Sequence, residues 1–314
     1  MSFLRRRLPA LIALCSALPG PAFAQDAQAE AERDGPRPAA GVEVWASTDA
    51  DQTDVIKLLG RALWNFEGRD EYLGIAAEKA WFTPAGGTTR ESKRIYLDAA
   101  DNFGSKWLWR ARIGTDGDTI LGSASIRTAD WKQSYFIERE VVETQQGLDN
   151  GIYYTFAGAN FDLPVDDSNV FTVMAGLQEF TGDNLRIHLR GNYVRVVDAD
   201  LGLSAQLRTR YYHSTHPGEF DYFSPEDYFQ ALPVLQIRRF DSAGWMYQIA
   251  GGYGVQTATG AGWQEARFAE LRIESPRRSR DIDVFLELQY SNTSLTGGLD
   301  YDYVVGRMGL TFAF

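Results

Sequence analysis

Apolar and polar residues alternate along this chain over runs of roughly ten positions, each followed by a turn, from the region of Gly41 to the last residue. In DIDVFLELQY, Ile282, Val284, Leu286, Leu288 and Tyr290 share one face, and Asp281, Asp283, Glu287 and Gln289 lie on the other. NLRIHLRGNY sets Leu185, Ile187, Leu189 and Tyr193 against Arg186, His188, Arg190 and Asn192. GLSAQLRTRYY opposes Leu203, Ala205, Leu207 and Tyr211 to Ser204, Gln206, Arg208 and Arg210. GWMYQIAGGYGV turns Trp245, Tyr247, Ile249, Tyr253 and Val255 away from Gln248. Successive side chains of an extended strand point to opposite faces, so this period of two predicts strands with one apolar and one polar face.

A soluble sandwich also alternates, but it would have to pack the many Arg and Glu of the polar faces inward. No run past the N-terminal region is apolar long enough to span a bilayer as a helix. The pattern therefore predicts an all-β protein, a transmembrane antiparallel β-barrel with its apolar face on lipid and its polar face on a water-filled lumen. Segment starts fall near Gly41, Val55, Tyr72, Lys93, Lys106, Thr119, Gln133, Gly151, Asn169, Asn184, Leu201, Asp227, Gly244, Gln264, Asp281 and Asp300. They give about sixteen strands, with fourteen and eighteen the neighbouring even counts. With both termini on the periplasmic side, the stretch YYHSTHPGEFDYFSPEDYF carries the largest external loop, between the eleventh and twelfth strands. VDAD (Val197–Asp200) and DSAG (Asp241–Gly244) read as short turns at the opposite end. The eight Trp residues lie in or beside predicted strands, where aromatic girdles anchor barrels at both membrane interfaces.

The ends of the chain set the compartment. Arg5, Arg6 and Arg7, the apolar Leu8–Leu18 and the small-x-small Ala22-Phe23-Ala24 make a cleavable signal peptide over residues 1–24. Residues 25–40 read as a polar, disordered periplasmic lead, and residues 41–314 as one outer-membrane barrel. The last strand carries Met308, Leu310, Phe312 and Phe314 at alternate positions, the pattern of a C-terminal barrel strand of a Gram-negative outer membrane. Cys15, the single cysteine, leaves with the signal, so no disulfide supports the mature chain. The formal net charge of −11 becomes −14 when the signal removes three Arg and no acid. Such acidity argues against a nucleic-acid partner.

Little points to catalysis. His213 and Ser214 are direct neighbours on a strand and so face opposite ways, and His213 and His216 lack the helical spacing of a zinc site. No enzyme activity, metal or cofactor is expected. The lumen faces carry more information. Arg186, His188, Arg190, Arg208 and Arg210 gather on two successive strands, and Glu270, Arg272, Asp283, Glu287 and Arg307 occupy lumen positions near the C-terminus. Charged rings of this kind set selectivity in pores, so these residues are candidates for a substrate path.

Tyr222-Phe223-Ser224-Pro225-x-x-Tyr228 is followed by a Leu-Pro strand, an Arg pair and the strand Gly244–Gln256. With FTGDNLRIHLRGNY (Phe180–Tyr193) and the closing Tyr301-x-Tyr303 strand, this layout resembles the C-terminal barrels of cellulose synthase operon protein C and of the poly-N-acetylglucosamine export porin, and the YaiO-type barrels. The resemblance implies export of an exopolysaccharide or oligosaccharide through a hydrated lumen, as in biofilm formation, with Tyr222, Phe223 and Tyr228 stacking on sugar rings at the mouth. Those exporters carry a tetratricopeptide-repeat array before the barrel, which is missing here. The implied partners are therefore outer-membrane lipid, the polysaccharide, a separate periplasmic repeat protein and an inner-membrane synthase. A general or solute-specific diffusion porin is the nearest rival; it predicts an early inward-folded loop, and the connections between Trp45 and Asp118 are short. A structural or adhesion barrel with a sealed lumen is the other.

Overall fold

A computed structural model describes residues 35–277, 279–292 and 302–314. The segment expected to be a signal peptide, most of the expected lead, and the Asp300 and Tyr301 positions lie outside the described residues. The strands are β1 (Arg37–Asp49), β2 (Asp54–Gly68), β3 (Glu71–Thr83), β4 (Arg90–Phe103), β5 (Trp107–Thr115), β6 (Ile120–Thr128), β7 (Gln133–Val141) and β8 (Tyr153–Asp166). They continue as β9 (Asn169–Phe180), β10 (Leu185–Asp198), β11 (Leu203–Ser214), β12 (Asp227–Phe240), β13 (Met246–Ala258), β14 (Gln264–Glu274), β15 (Ile282–Ser291) and β16 (Tyr303–Ala313). A short helix, α1 (Gln145–Asn150), interrupts the β7–β8 connection.

Each strand pairs antiparallel with its sequence neighbours, and β1 pairs with β16 from Ala39↔Ala313 to Asp49↔Tyr303, so the sheet closes. The architecture is a sixteen-stranded antiparallel barrel. Closure satisfies the ladder on every strand, the condition for strands to stand in hydrocarbon. β1 begins at Arg37, so it takes in the last residues of the stretch read as lead.

The alternation fixes which face is which. Ile56, Leu58, Ile75, Ile95, Leu97, Ile187, Leu189, Leu207, Leu235 and Ile249 are exposed on the outside. Between them, Leu59, Arg94, Asp98, His188, Gln206, Gln236 and Gln248 are buried inside. An outer surface this apolar would be a severe liability in water and suits contact with lipid. Aromatic residues ring it at both ends. Where even strands lead into odd ones (the turn end), Trp107, Tyr135 and Phe161 sit ring by ring, as do Phe171 and Tyr193. Where odd strands lead into even ones (the loop end), Tyr211, Tyr253 and Tyr290 donate hydroxyl hydrogen bonds of 2.6, 2.9 and 2.6 Å to Asp227, Glu265 and Asp302. A tyrosine there keeps its ring in the apolar band and its hydroxyl on a polar partner at the edge. Trp45 departs from the girdle expectation. It faces inward, packing with Val55, Ala80 and Phe82 beneath Lys57.

The interior also departs from a uniformly aqueous lumen. Along β1–β8, inward side chains form packed clusters: Leu59, Ala76, Tyr96 and Leu121 in one, Ala39, Leu63, Phe66, Tyr72 and Ala100 in another. The charges among them are paired. Arg94, 2% exposed, reaches Glu78 and Glu140 at 3.1 and 2.9 Å. Asp98, fully buried, takes Arg112 at 2.8 Å and the Tyr72 hydroxyl at 3.2 Å. Glu43 is shared by Arg307, Arg61 and Arg112 at 2.6, 3.3 and 3.8 Å. Pairing offsets the cost of withdrawing these charges from water.

Candidate substrate path in the barrel lumen

Both mouths are bridged, the loop end by polypeptide and the turn end by side chains. At the loop end the β7–β8 connection folds inward. Thr144 caps α1, its Oγ1 accepting from the Gly147 amide at 3.1 Å and donating to Asp221 Oδ1 at 2.5 Å. Gly147 allows the tight approach, because a Cβ there would lie 2.0 Å from the Val142 carbonyl oxygen. Leu148 packs on the Val55–Phe82 cluster and Lys57 pairs with Glu143 at 2.5 Å, tying this connection to β2 and β3. On its other side Val142 and Ile152 pack with Phe180 and Tyr222. The connection thus runs across the mouth from β2 to the β11–β12 loop. The early hairpins are short, as the sequence indicates, yet an inward-folded segment is present at β7–β8. The length of the early connections therefore does not argue against a diffusion porin.

The β11–β12 loop is itself well anchored. Tyr222 stacks on Phe180 at 4.3 Å and 10°, and its hydroxyl accepts from Asn184 Nδ2 at 2.8 Å. Glu219 accepts from the Asp183 and Asn184 amides at 2.7 and 3.1 Å. Tyr228, 1% exposed, stacks on Tyr212 at 4.8 Å and donates to Gln256 Oε1 at 2.9 Å, with Phe223 edge-on to it. The two tyrosines expected to meet sugar already have their faces covered by protein rings. In this arrangement they brace the rim.

Turn-end residues form a charged lattice. Arg69, in the β2–β3 turn, donates to Asp283 at 2.6 Å and to Glu274 at 2.5 Å. Asp70 receives Arg127 at 2.9 Å and Arg277 at 3.2 Å, and both guanidiniums lie over Trp131, at 3.6 and 4.3 Å from its ring centre. Trp131 takes a left-handed φ of 63°, unfavourable for a side chain of this kind.

Between these mouths β10 and β11 present a polar inner face, whereas inside β12–β14 Leu232, Val234, Ala250 and Ala266 pack as an apolar cluster with Phe268. The polar inward positions of β9–β14 are Gln178, Arg186, His188, Arg190, Asn192, Gln206, Arg208, Arg210, Gln230, Gln236, Gln248 and Glu270, in the alternation set by the exposed apolar residues between them. Arg186 is an anchor: Nη2 donates to the Phe223 carbonyl at 2.6 Å, Nε to Ser214 at 3.1 Å, and Tyr212 lies 4.5 Å from its guanidinium. His188, 2% exposed, bonds Gln178 through Nε2 at 2.9 Å and sits between the rings of Phe156 and Tyr212. Gly176, its cross-strand partner, leaves room for the Phe156 ring, which a Cβ would meet at 2.7 Å. Arg208 donates to Gln206 at 2.9 Å and lies over Phe268. Arg190 and Arg210 stand directly opposite each other across β10 and β11.

The C-terminal candidates divide differently. Arg272 pairs with Glu274 at 2.5 Å, Asp283 belongs to the turn-end lattice, and Arg307 pairs with Glu43. Glu287 stands cross-strand between Arg272 and Arg307. Glu270 accepts from Gln248 at 2.5 Å. Glu270 lies within electrostatic reach of Arg208 on β11. Glu43, Arg61, Arg94, Asp98 and Arg112 are not legible as lumen residues in the sequence, because the first strands alternate less cleanly and their charges interrupt apolar inward faces.

No protein-family model and no curated protein matches the chain. Among solved structures, a bacterial polysaccharide outer membrane secretin superposes with a TM-score of 0.62 at 14% identity, covering 88% of this chain and 98% of that one. The fold is that of an outer-membrane β-barrel. Weaker likenesses are to the outer membrane protein OprD from Pseudomonas aeruginosa (TM-score 0.40, 8% identity, 90% and 96% covered) and to the KdgM porin in complex with disordered oligogalacturonate (0.37, 8%, 87% and 99%).

Proposed function

We propose that this barrel resides in the outer membrane and passes a saccharide chain outward through its lumen. The observation that carries this reading is the inner face of β9–β14, polar on β10 and β11 and partly apolar on β12–β14. Its carboxamides and guanidiniums offer both donors and acceptors, which suits a hydroxyl-rich polymer. The bridged mouths favour a gated passage over an always-open diffusion pore. In this reading the passage carries out no covalent chemistry, and a separate periplasmic repeat protein and an inner-membrane synthase deliver the polymer. The structure of the secretin with the matching fold supports the layout of such a passage.

A sealed structural barrel is the second reading, favoured by the packed interior of β1–β8 and the two bridged mouths. Planar-bilayer recording with added neutral oligosaccharides separates the two. Passage predicts conductance with transient blockade by sugar. A sealed barrel predicts neither.

A further inference from the structure

The charges of the two halves of the interior are handled in opposite ways. On the β1–β7 side, Arg61, Arg94 and Arg112 each reach a carboxylate within 4 Å. Among the described residues, no ion pair joins Arg190, Arg208 or Arg210 to an acid. Arg190 and Arg210 are nevertheless direct cross-strand partners, and Arg208 lies one inward position further along β11, opposite Asn192. Like charges placed directly across a ladder repel, and nothing in the strand geometry requires them here.

The groups facing this cluster leave it positive. Glu138 on β7 lies within electrostatic reach of Arg190, and Glu270 on β14 within reach of Arg208, but Glu270 already accepts from Gln248. Asp162 on β8 accepts from Thr172 at 2.7 Å. Tyr212 and Tyr228 offer ring faces to Arg210, and Phe268 offers one to Arg208, which holds the guanidinium planes without neutralising them. Arg210 Nε and Asn192 Oδ1 are buried with no hydrogen-bond partner, so the wall holds unmade bonds beside the unpaired charges.

We propose that Arg190, Arg208 and Arg210 form a subsite for the acidic groups of a glycan, carboxylates or sulfates carried on its sugar rings. This rests on the saccharide-passage reading and narrows it to an anionic polymer. The guanidinium fork matches a carboxylate or sulfate edge, and a ligand of this kind relieves the repulsion that the fold builds in. Spacing along two adjacent strands lets successive acidic residues exchange one arginine for the next. That favours movement over tight capture, as in multi-site conduction generally.

The test is calorimetric titration of the refolded, detergent-solubilised barrel with a hexauronate and with a neutral hexaglucan of equal length. The subsite predicts that the hexauronate binds at least about tenfold more tightly at low salt, the equivalent of one charge-assisted hydrogen bond. It also predicts that the preference shrinks in high salt, and that R190Q/R208Q/R210Q abolishes it, bringing the affinities for the two sugars level. R190Q alone, at the most exposed of the three, repeats the test if the triple variant fails the heat-modifiable gel shift of a folded barrel. Equal affinity for both sugars overturns the acidic subsite and leaves the saccharide reading standing. Binding of neither sugar overturns both. A preference that survives in the variants overturns the assignment to these residues.

Discussion

Arg277, in the β14–β15 connection, lies 4.3 Å from the ring centre of Trp131 in the β6–β7 turn, although eight strands separate the two turns around the barrel. The turn-end mouth is therefore crossed, and Asp70 is its shared acceptor. Replacing Asp70 with Asn, or Arg69 with Gln, removes the charges that hold opposite turns together. Either variant should raise mean conductance in planar bilayers, and high salt should act on the wild type in the same direction, because partly exposed pairs are screened. Unchanged conductance in both variants would show that the lattice does not close the mouth.

The loop end depends on packing more than on charge. Y222A removes the ring stacked on Phe180 and the acceptor for Asn184, a loss of about 3 kcal/mol for a buried aromatic residue. Y222F loses only the hydroxyl bond, about 1 kcal/mol. Proteinase K should cut the β11–β12 loop and the β7–β8 connection quickly in Y222A and slowly in Y222F. Equal resistance in wild type and Y222A would contradict the bracing role.

The arginines of β10 and β11 have separable roles. R186Q releases the Phe223 carbonyl and Ser214, so it should loosen the β11–β12 loop to protease. R190Q and R210Q should leave the loop intact and lower anion preference, read as a shift in reversal potential across a KCl gradient. Because each also removes one member of a like-charged pair, neither should reduce thermal stability. A reversal potential insensitive to both would remove these residues from the ion path.

Asp116, in the β5–β6 connection, is held below its ordinary value of 3.8. Partial burial opposes the charge, but the Thr119 and Asp118 amides, each at 3.1 Å, and the Tyr153 hydroxyl, at 3.1 Å, outweigh it. A carboxyl with a depressed folded-state pKa stabilises the fold above its unfolded value and loses that contribution as pH falls through the folded value. The wild type should therefore lose thermal stability below about pH 4, and D116N should lose less over the same interval. Parallel pH profiles for the two proteins would remove Asp116 from the acid response.

Much of this architecture can be read from period-two alternation. The sixteen strands begin within a few residues of the expected positions, and Ile187, Leu189, Leu207 and Ile249 lie on the outer face as the pattern requires. The pairing of the interior could not be read in the same way. Alternation says that Asp283 and Arg307 face inward, but their partners Arg69 and Glu43 are more than two hundred residues away in sequence and meet them only once the barrel closes. Nor does alternation report that Tyr222 and Tyr228 spend their ring faces on Phe180 and Tyr212. The inward fold of the β7–β8 connection is written in the Thr144 cap and in Gly147, a local signal that the strand pattern obscures.

The proposed function requires saccharide to pass through the lumen. The most direct measurement is efflux of a fluorescently labelled oligosaccharide from liposomes carrying the refolded full-length barrel, alongside the D70N variant. Efflux through the wild type and faster efflux through D70N are the expected results. Liposomes that retain the sugar with both proteins, at every salt concentration and with no ion conductance, would contradict it.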